Sequence, residues 1–405
     1  MERISTHQFM ALGAAVLMGT TFLPIATIVT EVGGRDGWMS ILPGFAVGIP
    51  YGLMVFSLLE RYPQKNLLQI SETLFGKLLG KLIGVIYIMI TAYFGGLLLA
   101  QMGDIYERTT MPLTPITVFY LGGVLLVFYL VRSGLEVFAR FSEVIFPMIA
   151  FALLLNLGLS IPRIEQGELL PILGEGLKPL LWGGIKTLPF VMEFMLFLAG
   201  LLAFLPTGKQ ALGQLKTGLW RAVFLVGILN MLVTLIQIMV FGPVETTRLV
   251  YGLLSLGNMV EVSKTVSGVG SLFIGVWLGA GVIKISAFFF MVTWGLETVF
   301  GFKGVRWEAT VCVIFLGIAF GFLRGHYLLL EISFVDDHLI LPFAAVWKNL
   351  PFGEFLIGRK DLVFNETYTA QSGNFIDIES MPSMFTRVLG KTGSRGINPS
   401  AGHWI

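Results

Sequence analysis

Apolar residues in this chain run together and do not alternate with polar ones. Nine stretches, at about 8–30, 37–59, 80–104, 114–131, 139–161, 180–205, 217–241, 269–296 and 307–323, are almost wholly apolar, with short polar loops between them. Crossing a bilayer as a helix takes about 17–25 mainly apolar residues. The pattern therefore predicts nine transmembrane helices. A tenth candidate at about 338–358 is interrupted by Lys348-Asn349-Leu350-Pro351 and Glu354. The first run exceeds a signal-peptide core in length and lacks a small-residue cleavage site, so it reads as a retained span.

The polar loop 162–179 leaves five spans before it and five candidates after it, with no soluble domain between. The expected architecture is an all-α integral membrane protein of about ten transmembrane helices in two inverted five-helix repeats, 1–161 and 180–348. Residues 349–405 turn polar and contain Gly and Ser, as in Lys391-Thr392-Gly393-Ser394-Arg395-Gly396, the composition of a flexible tail with no function legible in it.

Spans one and six are interrupted at matching places. Gly19-Thr20-Thr21 with Pro24 falls mid-span in the first, and Pro189-Phe190 with Glu193 falls mid-span in the sixth. Both helices are expected to be discontinuous. Inside hydrocarbon an unpaired backbone group costs several kcal/mol, so unwound backbone persists only beside a cavity, a ligand or protein. Paired discontinuous helices in two halves of a chain mark the ligand site of inverted-repeat transporters. The second half-helix would present N–H groups to a carboxylate and the first would present carbonyls to an ammonium, which suits an amino acid. A simple Pro kink is the alternative.

Composition excludes other classes. With 55% hydrophobic residues, 13% charged and a mean hydropathy of +0.82, the chain has more apolar surface than a soluble fold of this size can bury. A single cysteine, Cys312, rules out internal disulfides and cysteine-based metal clusters, and a net charge of +2 without basic runs argues against nucleic acid. Nothing resembles an enzyme's phosphate loop, metal motif or activated nucleophile, and no cofactor is implied. With the N-terminus in the cytoplasm, inner segments hold twelve Lys and Arg against seven outside, which favours that orientation.

Two charges lie at mid-span. Glu193 follows Pro189, and Lys284 sits in Gly281-Val282-Ile283-Lys284-Ile285-Ser286 with no acid within a helical turn. A lone midplane ammonium costs at least ~2.5–3.5 kcal/mol, so Lys284 needs a partner on another helix. Glu193 is the acid at similar depth, and the two are expected to share one polar centre. That centre either binds ligand or proton, or only tethers span eight to the bundle. Glu193 can equally cap the broken helix. Tyr93, Leu97 and Gln101 share a face of span three, with Gly95 and Gly96 allowing close approach, and Phe288 lies one turn beyond Lys284. Each has a bland reading, as a packing stripe or as part of a lipid-facing run Phe288-Phe289-Phe290. Arg140 and Glu143 read as an interfacial ion pair. The candidate ligand-binding set is Gly19, Thr20, Thr21, Tyr93, Leu97, Phe190, Glu193, Lys284 and Phe288, with no metal ligands.

A family resemblance runs from the N-terminus to about residue 347. It is carried by Ile4-Ser5 with Gln8, Gly34-Arg35-Asp36-Gly37-Trp38, Pro63 with Lys65-Asn66-Leu67, Arg132-Ser133-Gly134-Leu135-Glu136, Ala139-Arg140 with Glu143, and Phe146-Pro147. Pro189-Phe190 with Glu193, Gly242-Pro243, Lys284-Ile285 and Leu341-Pro342-Phe343 complete it. In order and spacing these resemble the spore germination permeases, the B subunits of nutrient germinant receptors, within the amino acid, polyamine and organocation transporter superfamily. The resemblance implies a ten-helix protein of the inner spore membrane that senses a small germinant, often an amino acid, beside an A subunit and a lipoprotein C subunit. It puts the substrate position at Gly19, Thr20, Phe190 and Glu193, and implies sodium independence, because some members place a lysine ammonium where sodium would bind. The family's last helix is a full apolar span. Here either helix ten is broken by Pro351 or the end of the chain has diverged. Fold alone leaves open a proton-coupled amino-acid transporter using Glu193 or Lys284, and a water or ion conduit for which the sequence shows no continuous polar path.

Overall fold

The computed structural model describes residues 4–63, 65–174, 176–259, 261–263, 266–267 and 269–322, with only the backbone described at 261–263, 266–267 and 269–272. All belong to one compact unit, Met1–Val346. The candidate tenth span and the tail lie outside the described residues.

Helix α1 (Thr6–Thr21) starts at a capping box, in which Ser5 Oγ accepts from Gln8 N at 3.1 Å while Gln8 Oε1 accepts from Ser5 N at 2.8 Å. A non-helical turn at 22–24 follows, and α2 (Ile25–Gly33) resumes from Pro24. The first span is thus discontinuous, but three residues later than expected: Gly19, Thr20 and Thr21 form the last turn of α1. Pro24 is the cause. It has no N–H, so the Thr20 carbonyl loses its i+4 donor and the helical ladder cannot continue.

Helices α3 (Gly37–Arg61), α4 (Leu67–Thr109), α5 (Ile116–Arg132) and α6 (Leu135–Ser160) supply spans two to five, and α7 (Leu177–Leu201), α8 (Lys209–Arg248), the short α9 (Gly252–Met259), α10 (Val269–Phe300) and α11 (Val305–Phe322) follow. A two-stranded hairpin, Glu261–Ser263 with Val266–Ser267, precedes α10. Six segments meet the length and hydropathy of a full span, α5 is a shorter apolar helix, and the chain is an integral membrane protein.

Each half carries an extra helical piece between its second and third spans. In the first half it is Leu67 to Phe75, set off from the rest of α4 by Gly76 at φ 80°; in the second it is the end of α8 beyond Gly242, at φ 76°, together with α9. An odd number of spans per half puts these pieces on opposite faces of the membrane, as inverted repeats require. Packing follows the same pairing: the third span lies on the eighth (α4 on α10), the second on the seventh (α3 on α8), and crosswise the second lies on the sixth (α3 on α7) and the first on the seventh (α1 on α8).

Span six departs from expectation. Helix α7 runs unbroken through Pro189, so Glu193 stands mid-helix and not in the first turn of a half-helix. Proline costs one backbone hydrogen bond there, since the Ile185 carbonyl has no N–H at residue 189 to receive. Close packing holds the rest of the helix. Gly44, Gly48 and Gly52 of α3 lie against Thr187, Val191 and Met195 of α7, at four-residue spacing on both sides, and a methyl group at Gly44 or Gly48 would overlap its neighbour.

Every residue of α1 from Ala11 to Thr21 is buried, so this helix is enclosed by protein. Helix α6 instead turns Phe141, Val144, Met148, Phe151 and Leu155 outward, an apolar face suited to lipid.

Candidate functional site

The last turn of α1 lies beside α10 at its midpoint. Gly19 makes this possible, because a methyl group in its place would stand 3.1 Å from the Ala280 carbonyl oxygen and from Cβ and Cδ of Lys284. Lys284, 2% exposed, turns its ammonium between two helices. Nζ donates to Glu193 Oε2 of α7 at 2.8 Å and to Thr20 Oγ1 of α1. Glu193 is itself 6% exposed, and its Oε1 has no partner among the described residues. Three spans thus meet at one ion pair. The ammonium also sits near the carbonyl end of α1, where the helix dipole favours positive charge. Removing one member of such a buried pair strands a charge and costs about 3–5 kcal/mol.

A small cavity opens on the other side of Lys284, with about 200 Å³ of space between atoms. Gly19 and Thr20 of α1, Leu98, Gln101 and Met102 of α4, and Trp277, Gly281, Lys284 and Ile285 of α10 line it. This is below the roughly 300–1,000 Å³ of drug-sized sites, which suits a small solute. Trp277 is 3% exposed and its indole N–H has no acceptor among the described residues.

Other expected site residues lie around this centre. Tyr93 and Leu97 are not among the lining residues, because Gly95 and Gly96 face Phe315 and Ile318 of α11, and that contact rotates Leu98, Gln101 and Met102 inward. Thr21 turns to α8, donating to the Leu17 carbonyl at 2.9 Å and accepting from Asn230 Nδ2 at 3.2 Å. Phe190 is buried. Phe288 and Phe289 are fully buried, so that pair does not face lipid, and Phe288 packs its ring 6.1 Å from that of Phe94. The sequence reading missed Trp277, Leu98, Met102 and Asn230. Only Trp277, seven residues before Lys284 and so on its face of α10, left a signal in the sequence.

Both ends of the site are tied. One turn beyond Gln101, Asp104 accepts from the Tyr251 hydroxyl at 2.7 Å and from Arg108 Nε at 2.7 Å. Burial, then the charge of Asp104, push the Tyr251 phenol well above its ordinary value, so it remains a donor across the physiological range. At the N-terminal end of α1, His7 Nδ1 lies 2.6 Å from Glu143 Oε1 of α6, and Thr6 Oγ1 donates to Gln214 of α8 at 3.3 Å. Glu143 therefore pairs with His7 and not with Arg140, which binds Glu136 at 2.6 Å because the i,i+4 spacing brings those side chains together. Among the described residues no three His, Cys, Asp or Glu side chains are grouped to hold a metal ion.

Comparison with known proteins places this arrangement. Residues 3–324 match the family described as spore germination protein. Spore germination protein YndE of Bacillus subtilis (strain 168) is 27% identical over 62% of this chain and 67% of its own length. Spore germination protein KB of the same organism is 24% identical over 86% of this chain and 95% of its own. Among solved structures, MhsT in complex with L-phenylalanine superimposes with a TM-score of 0.63 at 16% identity, covering 85% of this chain and 88% of that one. MHP1, a nucleobase-cation-symport-1 family transporter in a closed conformation with bromovinylhydantoin bound, gives 0.57 at 15% identity, covering 80% and 73%. At such identities these likenesses establish the fold, that of transporters with broken helices.

Proposed function

The chain belongs to the spore germination protein family, and from that premise we propose that it is the membrane subunit of a nutrient germinant receptor. It binds a small germinant, an amino acid by class, beside the end of α1, and passes the event to an A subunit and a lipoprotein C subunit in the inner spore membrane, with its N-terminus in the cytoplasm. It carries out no enzymatic reaction.

The observation that carries this reading is the buried centre in which Lys284 joins α1, α7 and α10. A ligand can shift a conformational equilibrium only by binding one state better than the other. A solute that competes for Lys284 or for the free oxygen of Glu193 changes the contact holding α10 to α1 and α7, so its binding energy is coupled directly to their relative position. Lys284 brings its own positive charge to the end of α1, and binding is accordingly independent of sodium.

A second reading, a proton-coupled amino-acid transporter, is favoured by the unpartnered Glu193 oxygen, which can take a proton. Spores lacking this gene and the same spores complemented with wild type, Glu193→Gln or Lys284→Met separate the two. A receptor gives a nutrient-specific germination defect that neither variant rescues, and needs the A and C genes alongside. Full rescue by both variants, or function without the A and C subunits, rejects the receptor.

A further inference from the structure

We propose that the cavity beside Lys284 is a carboxylate subsite, so that the ligand's acid group is seated by α4 and α10 and its amine is directed to Glu193. This deepens the reading above and rests on it. It also reverses the pose that the sequence suggested, in which the carboxylate met the N-terminus of the second half-helix. That terminus offers no seat: Pro24 stands at its start, Ile25 is fully buried, and no residue of α2 lines the cavity.

The polar side chains of the lining are those of Thr20, Gln101, Trp277 and Lys284, and no Asp or Glu is among them. Lys284 has three N–H donors, two of which go to Glu193 and Thr20, leaving one for the cavity. The Trp277 indole, 3% exposed, holds a donor without an acceptor, and the Gln101 side chain, also 3% exposed, makes no hydrogen bond among the described residues. A buried donor left unmade is costly, and an anionic oxygen is the strongest acceptor that can relieve it. The cavity is thus donor-rich and acceptor-poor.

Charge balance sets the other end of the ligand. Lys284 and Glu193 cancel, so a bare anion would leave one buried negative charge, which a low-dielectric interior resists. The unpartnered Oε1 of Glu193 can accept from an ammonium on the same ligand. A zwitterion therefore fits best, a hydroxy acid less well, and an amine without the acid worst.

The test measures binding to the purified full-length chain by equilibrium dialysis with matched triads: alanine, lactate and alaninamide, then valine, 2-hydroxyisovalerate and valinamide. In the triad that fits, the amino acid binds tightest, the hydroxy acid follows, and the amide is weaker than the amino acid by about tenfold or more, the worth of a hydrogen bond to a charged group. Trp277→Phe, which leaves the Lys284–Glu193 pair intact, weakens the amino acid and the hydroxy acid by about tenfold and leaves the amide unchanged. Gln101→Leu gives the same ordering. An amide that binds as well as its amino acid, or a Trp277→Phe loss equal for all three members, overturns the subsite while leaving a ligand site in place. No binding by any member of either triad overturns the subsite together with the reading beneath it.

Discussion

Lys284 and Glu193 should be coupled in stability, and the double-mutant cycle on them measures how strongly. Their charged atoms are 2.8 Å apart with 2% and 7% of the side chains exposed. At an effective dielectric of about 20, charges at that distance attract by ~6 kcal/mol, much of it offset by the cost of taking both from water. Glu193→Gln leaves an ammonium with only Thr20 for a partner, and Lys284→Met leaves a bare carboxylate. Each single variant should lose about 3–5 kcal/mol, whereas the double variant, with no stranded charge, should lose much less than the sum. Thermal or denaturant unfolding of the protein in one detergent, followed by intrinsic fluorescence, reads all four corners of the cycle. Two outcomes would refute the reasoning: single variants within about 1 kcal/mol of wild type, or losses that simply add.

Three further predictions rest on separate contacts. Gly44→Ala should lower stability by about 1–3 kcal/mol, since the added methyl overlaps Thr187 and the Gly184 carbonyl, while Gly122→Ala, with open space around it, should be neutral; melting of both variants against wild type checks this. Tyr251→Phe removes the bond to Asp104, and amide exchange across 251–259 should speed up by about tenfold or more, the worth of a hydrogen bond to a charged group, with no change in the buried stretch 11–21. Ligand binding should not change when sodium replaces choline at constant ionic strength, and affinity rising with sodium would show that the Lys284 ammonium does not serve as the site's cation.

The spans were legible because apolar length is dictated by the bilayer, and the buried pair was legible because two mid-span charges of opposite sign had no other partners. What the sequence hid was the purpose of its small residues. Gly19 resembles a helix breaker but serves as a contact surface for α10, and the actual break comes at Pro24. Pro189 resembles a break, yet α7 stays helical, held on one side by the glycine ladder of α3. The lining of span three went wrong by about one residue, a rotation of roughly 100° on a helix. A stripe of four-residue spacing does not say which face is inward, and here Gly95 and Gly96 decide it by packing on α11. The Tyr251–Asp104 and His7–Glu143 ties join residues 147 and 136 positions apart, a separation at which local pattern carries no information.

The most direct test of the account is uptake and binding of radiolabelled amino acids by the purified chain in proteoliposomes, with and without an imposed proton gradient. A sensor binds saturably, accumulates nothing in either condition, and loses binding in Glu193→Gln and Lys284→Met. Accumulation driven by the gradient would contradict the receptor reading and make the protein a transporter.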